Sequence, residues 1–518
     1  MNDALVIAIT RLGDLIQTEP MIRAIKRDSF TNHVTVLTEK SFAPVVQLFS
    51  SVDEIAVVDF GVILGKLDQR EPELPLSAYC DVSRWLEEKS FSAVYNLTHS
   101  RPSMMLAALA KPMAEGVTLS HDLTQVVNSR WLQYFFATNL ARPWCSFNLV
   151  DIYVNAVAPL TSFEDRTPFI GAPNRDTRSP QKWSDIECVL HVGASQSDKQ
   201  WPLDKFVSLC RDLLARGVGV TLIGGAKSEV VSNAFPKHCK FCDRTGQTSI
   251  ADLIDLFGSA DILISADSGP VHVAASCKLP IIAIEGGSAH GFETAPYIEN
   301  AFVIQPHLEN VVSRTPGKKF TSASAEMVSK QTVLSIFDLH FGESSDIVVS
   351  EGCTVYKTFA DRAIPGLGLR AIAGGHSKYE EWQQRLREFW WHLIGARHAG
   401  VDPSTTELAL AAQRSASAAK MIRLQTMDVS RLKNCAAALS QAERDIQNLI
   451  GTHPPLHCLN SFLQIARGSV SGETAEEQAL ELEELYSDFA GAAHILLPPE
   501  NQSNNKKITN YNVTEAIV

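Results

Sequence analysis

The chain has 518 residues, of which 45% are hydrophobic and 20% are charged, and its formal net charge is −12. This length corresponds to about three domains of ordinary size, and the modest charged fraction predicts that most of the chain folds. The negative net charge argues against a general nucleic-acid-binding protein, whose surface is basic. No nucleic-acid partner is therefore expected.

Targeting and redox signals are sparse in this chain. No run of about 18 uncharged apolar residues occurs, which predicts the absence of a transmembrane helix. The first residues, Asn2-Asp-Ala-Leu-Val-Ile-Ala-Ile9, lack the basic start and cleavage site of a signal peptide. They predict a strand, and with it a cytoplasmic protein. The ten cysteines are scattered through a long sequence, which favours reduced thiols.

Strand-like and helix-like segments alternate from the start of the chain. Apolar runs predict strands at residues 5–9, 33–37, 54–58 and 93–97. Helical segments are predicted between them at residues 19–27, 43–49 and 102–110. This alternation implies a parallel sheet covered by helices on both faces. We assign it to an amino-terminal Rossmann-like domain, residues 1–165.

The alternation stops near residues 162–184, which are rich in Pro, Arg, Thr and Ser and predict a linker, and it then resumes. Further strands are predicted at residues 188–191, 219–223, 262–264 and 281–284. Helices are predicted at residues 203–216, 250–257 and 325–337. These segments define a second Rossmann-like domain, residues 166–341, with a cleft between the two domains.

The character of the chain changes after residue 341. Apolar residues at helical spacing predict helices at residues 380–393, 408–438 and 475–489. Residues 342–500 are therefore expected to be an all-helical extension, and residues 501–518 a disordered tail. The predicted fold class is α/β: two doubly wound domains in series, followed by a carboxyl-terminal all-helical extension.

The most informative segment is Ser265-Ala-Asp-Ser-Gly-Pro-Val-His-Val-Ala-Ala275. It places Asp267, Ser268, Gly269 and His272 where a buried strand ends and a helix begins. In α/β proteins anionic ligands bind at such points, because free backbone N–H groups and the positive end of the helix face the crevice. The segment predicts a site for an anionic ligand.

Three motifs together resemble glycosyltransferase family 9, the bacterial ADP-heptose heptosyltransferases. They are Arg11-Leu-Gly-Asp14 followed by Thr18-Glu-Pro20, His191-Val-Gly-Ala-Ser195 followed by Lys199-Gln-Trp-Pro202, and Asp267-Ser-Gly-Pro-Val-His272. The resemblance covers approximately residues 1–340. It implies the GT-B fold, which has two Rossmann-like halves. It also implies transfer of a heptose from ADP-heptose to a lipid-anchored acceptor, with inversion at the anomeric carbon.

Sugar transfer needs a general base at the acceptor hydroxyl, and cations or N–H donors at the departing pyrophosphate. The resemblance implies that Asp14 is the base, whereas capping of the following helix is the alternative role for this carboxylate. It implies that Lys199 offsets the charge of the pyrophosphate. The alternative is that Lys199 is an ordinary solvated lysine.

The resemblance implies that the remaining donor-binding residues lie in the second domain. Asp267, Ser268 and Gly269 would bind the diphosphate or sugar hydroxyls, and His272 resembles a family position near the donor phosphate. A lone histidine is more often structural, so both roles stay open for His272. A phosphate within reach would favour its imidazolium form.

Three further donor contacts are predicted. Ser195 could add a hydroxyl donor, and Glu229 follows a Gly-Gly turn where acidic residues reach ribose hydroxyls in Rossmann-type sites. Thr248 belongs to Thr245-Gly-Gln-Thr-Ser249, which resembles the family loop along the nucleotide base. On the acceptor side, Arg11 and Arg101 would suit a phosphorylated glycolipid, although Arg101 could equally be a surface residue.

The resemblance implies a metal-independent enzyme without a cofactor, in which the nucleotide sugar is a substrate. The segment His238-Cys-Lys-Phe-Cys242 contains one CxxC pair, whereas a structural zinc site usually needs a second pair. Buried, reduced cysteines are the favoured interpretation. A related subgroup that heptosylates secreted proteins carries a metal-bound cysteine motif, so metal binding by His238, Cys239 and Cys242 stays open.

The leading hypothesis is an inverting transferase that moves a heptose or similar sugar from ADP-heptose to a lipopolysaccharide-type or other glycan acceptor. One alternative is a transferase of the same fold with another nucleotide sugar or a protein acceptor. Another is a non-catalytic scaffold or sugar-binding protein of envelope assembly. The helical extension is a candidate surface for a homo-oligomer or a partner protein, and a glycolipid acceptor would bring the protein to the inner face of the cytoplasmic membrane.

Overall fold

The structure is a computed structural model. It describes residues 3–496 apart from gaps at residues 10, 29–30, 32, 60–72, 99, 111–113, 121, 140–141, 158–161, 172–179, 181, 195, 226–228, 308–323, 376, 396–406, 425–428, 452–455 and 471–473. The predicted disordered tail, residues 501–518, lies outside the described residues. The chain divides into two compact units, Met1–Thr124 with Phe147–Ser377 (unit 1) and Gln125–Ser146 with Lys378–Val518 (unit 2).

The strands, in chain order, are β1 (Asp3–Ile7), β2 (His33–Glu39), β3 (Glu54–Val58), β4 (Ala93–Asn96), β5 (Glu115–Leu119), β6 (Gln125–Val127), β7 (Glu187–His191), β8 (Gly219–Ile223), β9 (Phe241–Asp243), β10 (Ile262–Ala266), β11 (Ile281–Ile284), β12 (Phe302–Pro306), β13 (Cys353–Asp361) and β14 (Gly366–Ala373). The helices are α1 (Leu12–Arg27), α2 (Ala43–Val46), α3 (Glu73–Glu88), α4 (Arg101–Ala110), α5 (Arg130–Asn139), α6 (Leu149–Val157), α7 (Phe163–Arg166), α8 (Leu203–Ala215), α9 (Glu229–Ala234), α10 (Ile250–Ser259), α11 (Gly269–Ser276), α12 (Gly291–Thr294), α13 (Lys330–His340), α14 (Ser377–Trp390), α15 (Glu407–Leu424), α16 (Val429–Gly451), α17 (His457–Gly468) and α18 (Ala475–Ala492).

Unit 1 contains two sheets, and the sequence predicts their parallel strands. Within this unit the first sheet has the strand order β3-β2-β1-β4-β5, and all its pairs are parallel. The second sheet has the order β14-β13-β12-β11-β10-β7-β8-β9. All pairs among its strands β7 to β12 are parallel. Parallel neighbours need a crossover connection rather than a hairpin, and the segments between these strands provide it. In each sheet the first strand, β1 or β7, is central, and its last four residues are buried.

Side chains of α6 join the two halves of unit 1. Just before α6, Asn148 donates from Nδ2 to the carbonyl of Ala295 at 2.9 Å. Within the helix, Asp151 accepts from the Tyr297 hydroxyl at 2.6 Å and from the Leu367 N–H at 3.0 Å. These bonds tie the chain after the first sheet to the second sheet, and so they position the two sheet edges that carry the motifs.

The region predicted as a linker contributes to this connection. Part of residues 162–184 forms α7, in which Arg166 is fully buried and donates to Asp151 at 3.1 Å. A buried arginine needs such a partner, because an unpaired charge in the interior is costly. Residues 172–179 and 181 lie outside the described residues.

Two differences from the predicted elements affect the interpretation of the chain. The first helix begins at Leu12 rather than residue 19, so Asp14 lies inside its first turn. The prediction that everything after residue 341 is helical is wrong for β13 and β14, which add an antiparallel hairpin to the second sheet. Thr354 and Val355 are consecutive residues of β13 that point to opposite faces of the sheet, and both are buried. The strand β13 lies between β12 and β14 and is covered on both faces there.

Unit 2 contains the predicted helical region, α14 to α18, together with residues 125–146. The predicted amino-terminal domain included those residues, whereas in the structure they pack with the later helices. The ring of Tyr134 lies 4.8 Å from that of Trp390, and Arg387 donates to the carbonyl of Ser146 at 2.7 Å. Such long-range contacts leave no local pattern in the sequence.

Candidate donor site at the edge of the second sheet

The candidate site lies at the carboxyl ends of β7, β10 and β11. Strands β7 and β10 are parallel neighbours, and His191 is in register with Ser265. The segments that leave these strands therefore begin side by side. One of them leads to Lys199 and another to Asp267 at the start of α11, as expected for a ligand site in a doubly wound sheet.

Lys199 and Asp267 form a buried ion pair in this site. The Lys199 ammonium donates to Asp267 Oδ2 at 2.7 Å, and the two residues are only 4% and 8% exposed. The interpretation of Lys199 as an ordinary solvated lysine is therefore wrong. An ammonium donates three hydrogen bonds, so its bond to Asp267 leaves two others for a ligand.

Glu285 is a buried acid that the sequence analysis missed. It follows β11 directly, is 1% exposed, and neither of its carboxylate oxygens has a hydrogen-bond partner in the described structure. Burial raises the pKa of Glu285 well above its usual value; the charge of Asp267 raises it further, and that of Lys199 opposes the shift. Burial therefore favours the protonated, neutral form of this carboxyl. An acidic residue directly after four buried apolar residues, Ile281–Ile284, is the signal that would have found it.

His191 and two serines form a second buried group beside the ion pair. His191 Nδ1 lies 3.0 Å from Ser265 Oγ and 3.1 Å from Ser268 Oγ. Burial lowers the pKa of His191 to about 4, so the imidazole is neutral at physiological pH. The two strands thus present a neutral ring, rather than a cation, beneath the start of α11.

The start of α11 packs closely against the start of α1 from the first sheet. A Cβ atom added at Gly269 would lie 2.8 Å from Leu12 Cδ2, and one at Gly13 would lie 2.7 Å from His272 Cδ2. His272 is buried, and this burial lowers its pKa, with a smaller opposing effect from Asp267. The glycines of two motifs are therefore needed for this approach between the two halves of unit 1.

Asp14 is the third residue of α1 and is partly exposed. The residue before this helix is Arg11, so Asp14 is not the N-cap, although a carboxylate in the first turn favours the helix dipole. Burial raises the pKa of Tyr153, and the charges of Asp14 and Glu293 raise it further. Tyr153 on α6 therefore lies within electrostatic reach of Asp14 and of Glu293 on α12. The sequence analysis named neither Tyr153 nor Glu293.

The other predicted site residues are less closely grouped. Ser195 lies outside the described residues, and Glu229 begins α9 but its side chain is likewise not described. Thr248 is half-buried in the loop between β9 and α10. Arg11 and Arg101 are exposed at the starts of α1 and α4. The structure therefore brings together Lys199, Asp267, Ser268, Gly269 and His272.

The CxxC segment differs from its predicted burial. Cys239 and Cys242 are exposed rather than buried, and His238 is exposed beside them. Within the described part of the chain, no group of three His, Cys, Asp or Glu side chains is arranged to hold a metal ion. The described helices also include none that is both long and apolar enough to cross a membrane.

Two Rossmann-like halves, with a polar site at the carboxyl edge of the second sheet, are the arrangement of the GT-B fold. Residues 80–322 match the family model of glycosyltransferase family 9 (heptosyltransferase). The match lies in the α/β part of the chain and includes the second and third motifs, so this part of the chain resembles family 9, and the chain is a glycosyltransferase.

Relatives and solved structures agree with this assignment. The chain is 23% identical to lipopolysaccharide heptosyltransferase 3 of Escherichia coli over 292 residues, which are 54% of this chain and 82% of that protein. It is 31% identical to lipooligosaccharide heptosyltransferase 2 of Haemophilus influenzae over 113 residues, 21% of this chain and 32% of that protein. The crystal structure of a family 9 glycosyl transferase from Veillonella parvula superposes with a TM-score of 0.50 at 20% identity, over 66% of this chain and 98% of that one. This last similarity shows the shared fold.

Proposed function

We propose that the chain transfers a heptose, or a similar sugar, from ADP-heptose to a lipopolysaccharide-type or other glycan acceptor. The observation that carries this proposal is the buried Lys199–Asp267 pair beside the start of α11 in a family 9 fold. A cation held beside a helix N-terminus is suited to a diphosphate leaving group. The names of the two relatives support heptose as the sugar.

In the proposed reaction the acceptor hydroxyl attacks the anomeric carbon from the face opposite the diphosphate. A new carbon–oxygen bond forms, the bond from the anomeric carbon to the phosphate oxygen breaks, and ADP leaves. The hydroxyl proton passes to Asp14, which follows Gly13, the residue at which an added Cβ atom would lie 2.7 Å from His272 Cδ2 of the second half of unit 1. Inversion follows from this direct displacement.

Lys199 would stabilise the departing diphosphate. Because Asp267 already holds the ammonium in one orientation, little side-chain entropy remains to be lost when the donor binds. The backbone N–H groups of Ser268 and Gly269 would complete the phosphate site, and His272 would lie beside it. With these groups offsetting the charge, the proposed reaction requires no metal ion.

The remaining roles belong to the same proposal. Glu229 would bind the ribose hydroxyls, Thr248 the base and Ser195 a phosphate oxygen. Arg11 and Arg101, both exposed at helix starts, would face an anionic acceptor. Cytoplasmic location, contact with the inner membrane face, and assembly through unit 2 stay predictions.

The donor can be tested with a panel of nucleotide sugars and ADP. A ligand that binds the native state raises the melting temperature, so ADP-heptose should raise it most and should be consumed only when acceptor is present. A different nucleotide sugar giving the largest shift and turnover would favour the same-fold alternative. Absence of binding by every member at millimolar concentration would favour the scaffold.

The role of Asp14 can be tested with Asp14→Asn. We expect ADP binding to persist and turnover to fall by about 10²- to 10⁴-fold, the usual contribution of a general base. Asp255→Asn, at an exposed position on α10, is the matched control and should keep full activity. Turnover of Asp14→Asn at the rate of the unaltered enzyme would remove Asp14 from this role.

A further inference from the structure

Glu285 is a buried acid that lowers the stability of the unliganded protein. The residue is 1% exposed, and neither of its carboxylate oxygens has a hydrogen-bond partner in the described structure. Such a group has lost its hydrogen bonds to water without gaining others, which is unfavourable, whereas an apolar side chain of the same size would avoid that cost. Residues that break this rule are concentrated at functional sites. A role in the ligand-bound protein would explain why an acid stands here.

The second sheet places Glu285 beside Asp267. Strands β10 and β11 are parallel neighbours whose last paired residues are Ala266 and Ile284. Asp267 and Glu285 come directly after them, and the Asp267 N–H still donates to the carbonyl of Ile284 at 3.2 Å. Neighbouring strands lie about 4.8 Å apart. The two acidic side chains therefore leave adjacent backbone positions at the sheet edge that carries the candidate donor site.

The turn that follows Glu285 packs against the loop that follows β7. Gly287 has a φ of +60°, and a Cβ atom added there would lie 2.6 Å from Asp198 Cγ. Beside it, Ser288 Oγ donates to Gln196 Oε1 at 2.9 Å. Because the Glu285 oxygens are enclosed here and have almost no accessible surface, a ligand does not reach them. Glu285 can act on a ligand only through its neighbours.

Three charged groups act on the Glu285 carboxyl, each from a different element. They are Asp267 before α11, Lys199 after β7 and Glu293 on α12. Burial is the largest cause of the raised pKa of Glu285; Asp267 and Glu293 raise it further, whereas Lys199 opposes the shift. An ionised Glu285 would set a second buried carboxylate beside Asp267, close to where the diphosphate binds. The neutral acid avoids this repulsion, and it has an O–H to donate.

We infer that Glu285 is a positioning residue, whose protonated carboxyl donates a hydrogen bond to Asp267 when the nucleotide donor binds and so lets Lys199 share its charge with the diphosphate. In the unliganded protein the Lys199 ammonium donates to Asp267 at 2.7 Å. A bound diphosphate attracts this ammonium and weakens its hold on the Asp267 carboxylate. The Glu285 O–H then supplies a second donor to Asp267, and the proton stays on the Glu285 oxygen. This inference rests on the proposed function, because it concerns the same donor site.

Two neutral substitutions separate a hydrogen-bond donor from a side chain that only fills space. Glu285→Gln keeps an N–H donor and should retain most of the ADP affinity of the unaltered protein. Glu285→Met has a similar size but no donor, and its ADP affinity should fall by about tenfold, the equivalent of one hydrogen bond to a charged group. The melting temperature of Glu285→Met should not fall, because the change removes a buried polar group without a partner. A lower affinity would then not come from a damaged fold.

The experiment measures binding of ADP and of adenosine to the full chain by calorimetry at pH 7.5, with circular dichroism as the check on folding. Adenosine lacks phosphates, so its affinity should be the same in all variants. Glu351→Met, at an exposed glutamate, is the control and should bind ADP like the unaltered protein. If Glu285→Met does not fold, Glu285→Leu replaces it.

A pH series adds a second measurement. Only the unaltered residue can lose its proton, so the ADP affinity of the unaltered protein divided by that of Glu285→Gln should stay constant or fall between pH 6.5 and 8.5. The titration of ADP itself cancels in this ratio. A side chain that acts only through packing predicts no rescue of affinity by glutamine.

Four results would overturn the inference while leaving the proposed function intact. One is a Glu285→Met variant that binds ADP as tightly as the unaltered protein, and another is an equal loss of ADP affinity in Glu285→Gln and Glu285→Met. The third is a parallel loss of adenosine affinity. The fourth is an affinity ratio that rises with pH, because the ionised acid would then be the active form. Failure of the unaltered protein to bind ADP at all would instead remove the proposed function, and the inference with it.

Discussion

Lys199 and Asp267 are 68 positions apart in the chain, yet their charged groups meet at 2.7 Å with almost no solvent contact. Transfer of both charges from water has a large free-energy cost, and their mutual attraction offsets it only when both are present. The pair is therefore an organised part of the site before any ligand binds. Its neighbour Glu285 has no hydrogen-bond partner for its carboxylate oxygens in the described structure, and burial raises its pKa well above the usual value.

Removal of one member of this pair should destabilise the protein strongly. We expect Lys199→Met to lower the free energy of unfolding by about 3–5 kcal/mol, because it leaves the Asp267 carboxylate buried and unpaired. The double variant Lys199→Met/Asp267→Asn should lose less than the sum of the single changes, as measured by urea denaturation. Arg27→Met, which breaks an exposed pair with Asp165, is the control and should cost no more than about 1 kcal/mol. A loss of unfolding free energy for Lys199→Met that is no larger than the loss for Arg27→Met would contradict the buried pair.

His191 should make the protein less stable in mild acid. Its folded-state pKa is about 4, below the ordinary value of 6.5, so the unfolded chain binds a proton that the folded protein does not. Its contribution is fully present above pH 6.5 and is lost as the pH falls towards 4, by up to about 3 kcal/mol. Between pH 7.5 and 4.5 the melting temperature of His191→Asn should fall less than that of the unaltered protein. His238→Asn, at an exposed histidine, should leave the slope unchanged.

Glu285 should have the opposite pH dependence. Its pKa is raised in the folded protein, so its contribution to stability is present below about pH 4.5 and is lost as the pH rises. Glu285→Gln removes the ionisation, and its melting temperature should rise relative to the unaltered protein between pH 5 and 8. Glu351→Gln, at an exposed glutamate, is the control. A melting-temperature difference for Glu285→Gln that does not vary with pH would argue against a buried neutral acid.

The close approach of α1 and α11 should not tolerate an added methyl group. In Gly269→Ala the new Cβ would lie 2.8 Å from Leu12 Cδ2, and the resulting overpacking should lower the free energy of unfolding by about 1–3 kcal/mol. ADP affinity should fall with it, because the same turn carries the phosphate site. Gly225→Ala, whose new Cβ would meet no atom within 4 Å, is the matched control and should unfold at nearly the same temperature as the unaltered protein.

The two parallel sheets could be predicted because their strands are continuous apolar runs, such as Ile281–Ile284, separated by helical segments. The start of α1 could not, because Pro20 lies in the middle of that helix and interrupts its pattern. The strands β13 and β14 were also missed, since a short antiparallel hairpin before a long helical region has a weak local signal. Its place in the sheet comes from pairing with β12.

The sequence by itself determined the resemblance to glycosyltransferase family 9, the two Rossmann-like halves and the motifs in which Asp14, Lys199 and Asp267 lie, because each of these depends on short-range patterns of residues. The tertiary structure alone decided which side chains meet. It paired Lys199 with Asp267, buried Glu285 beside them, and turned the Ser268 hydroxyl towards His191. These contacts join residues from separate strands of one sheet, and such proximity arises only when the strand order brings their ends together.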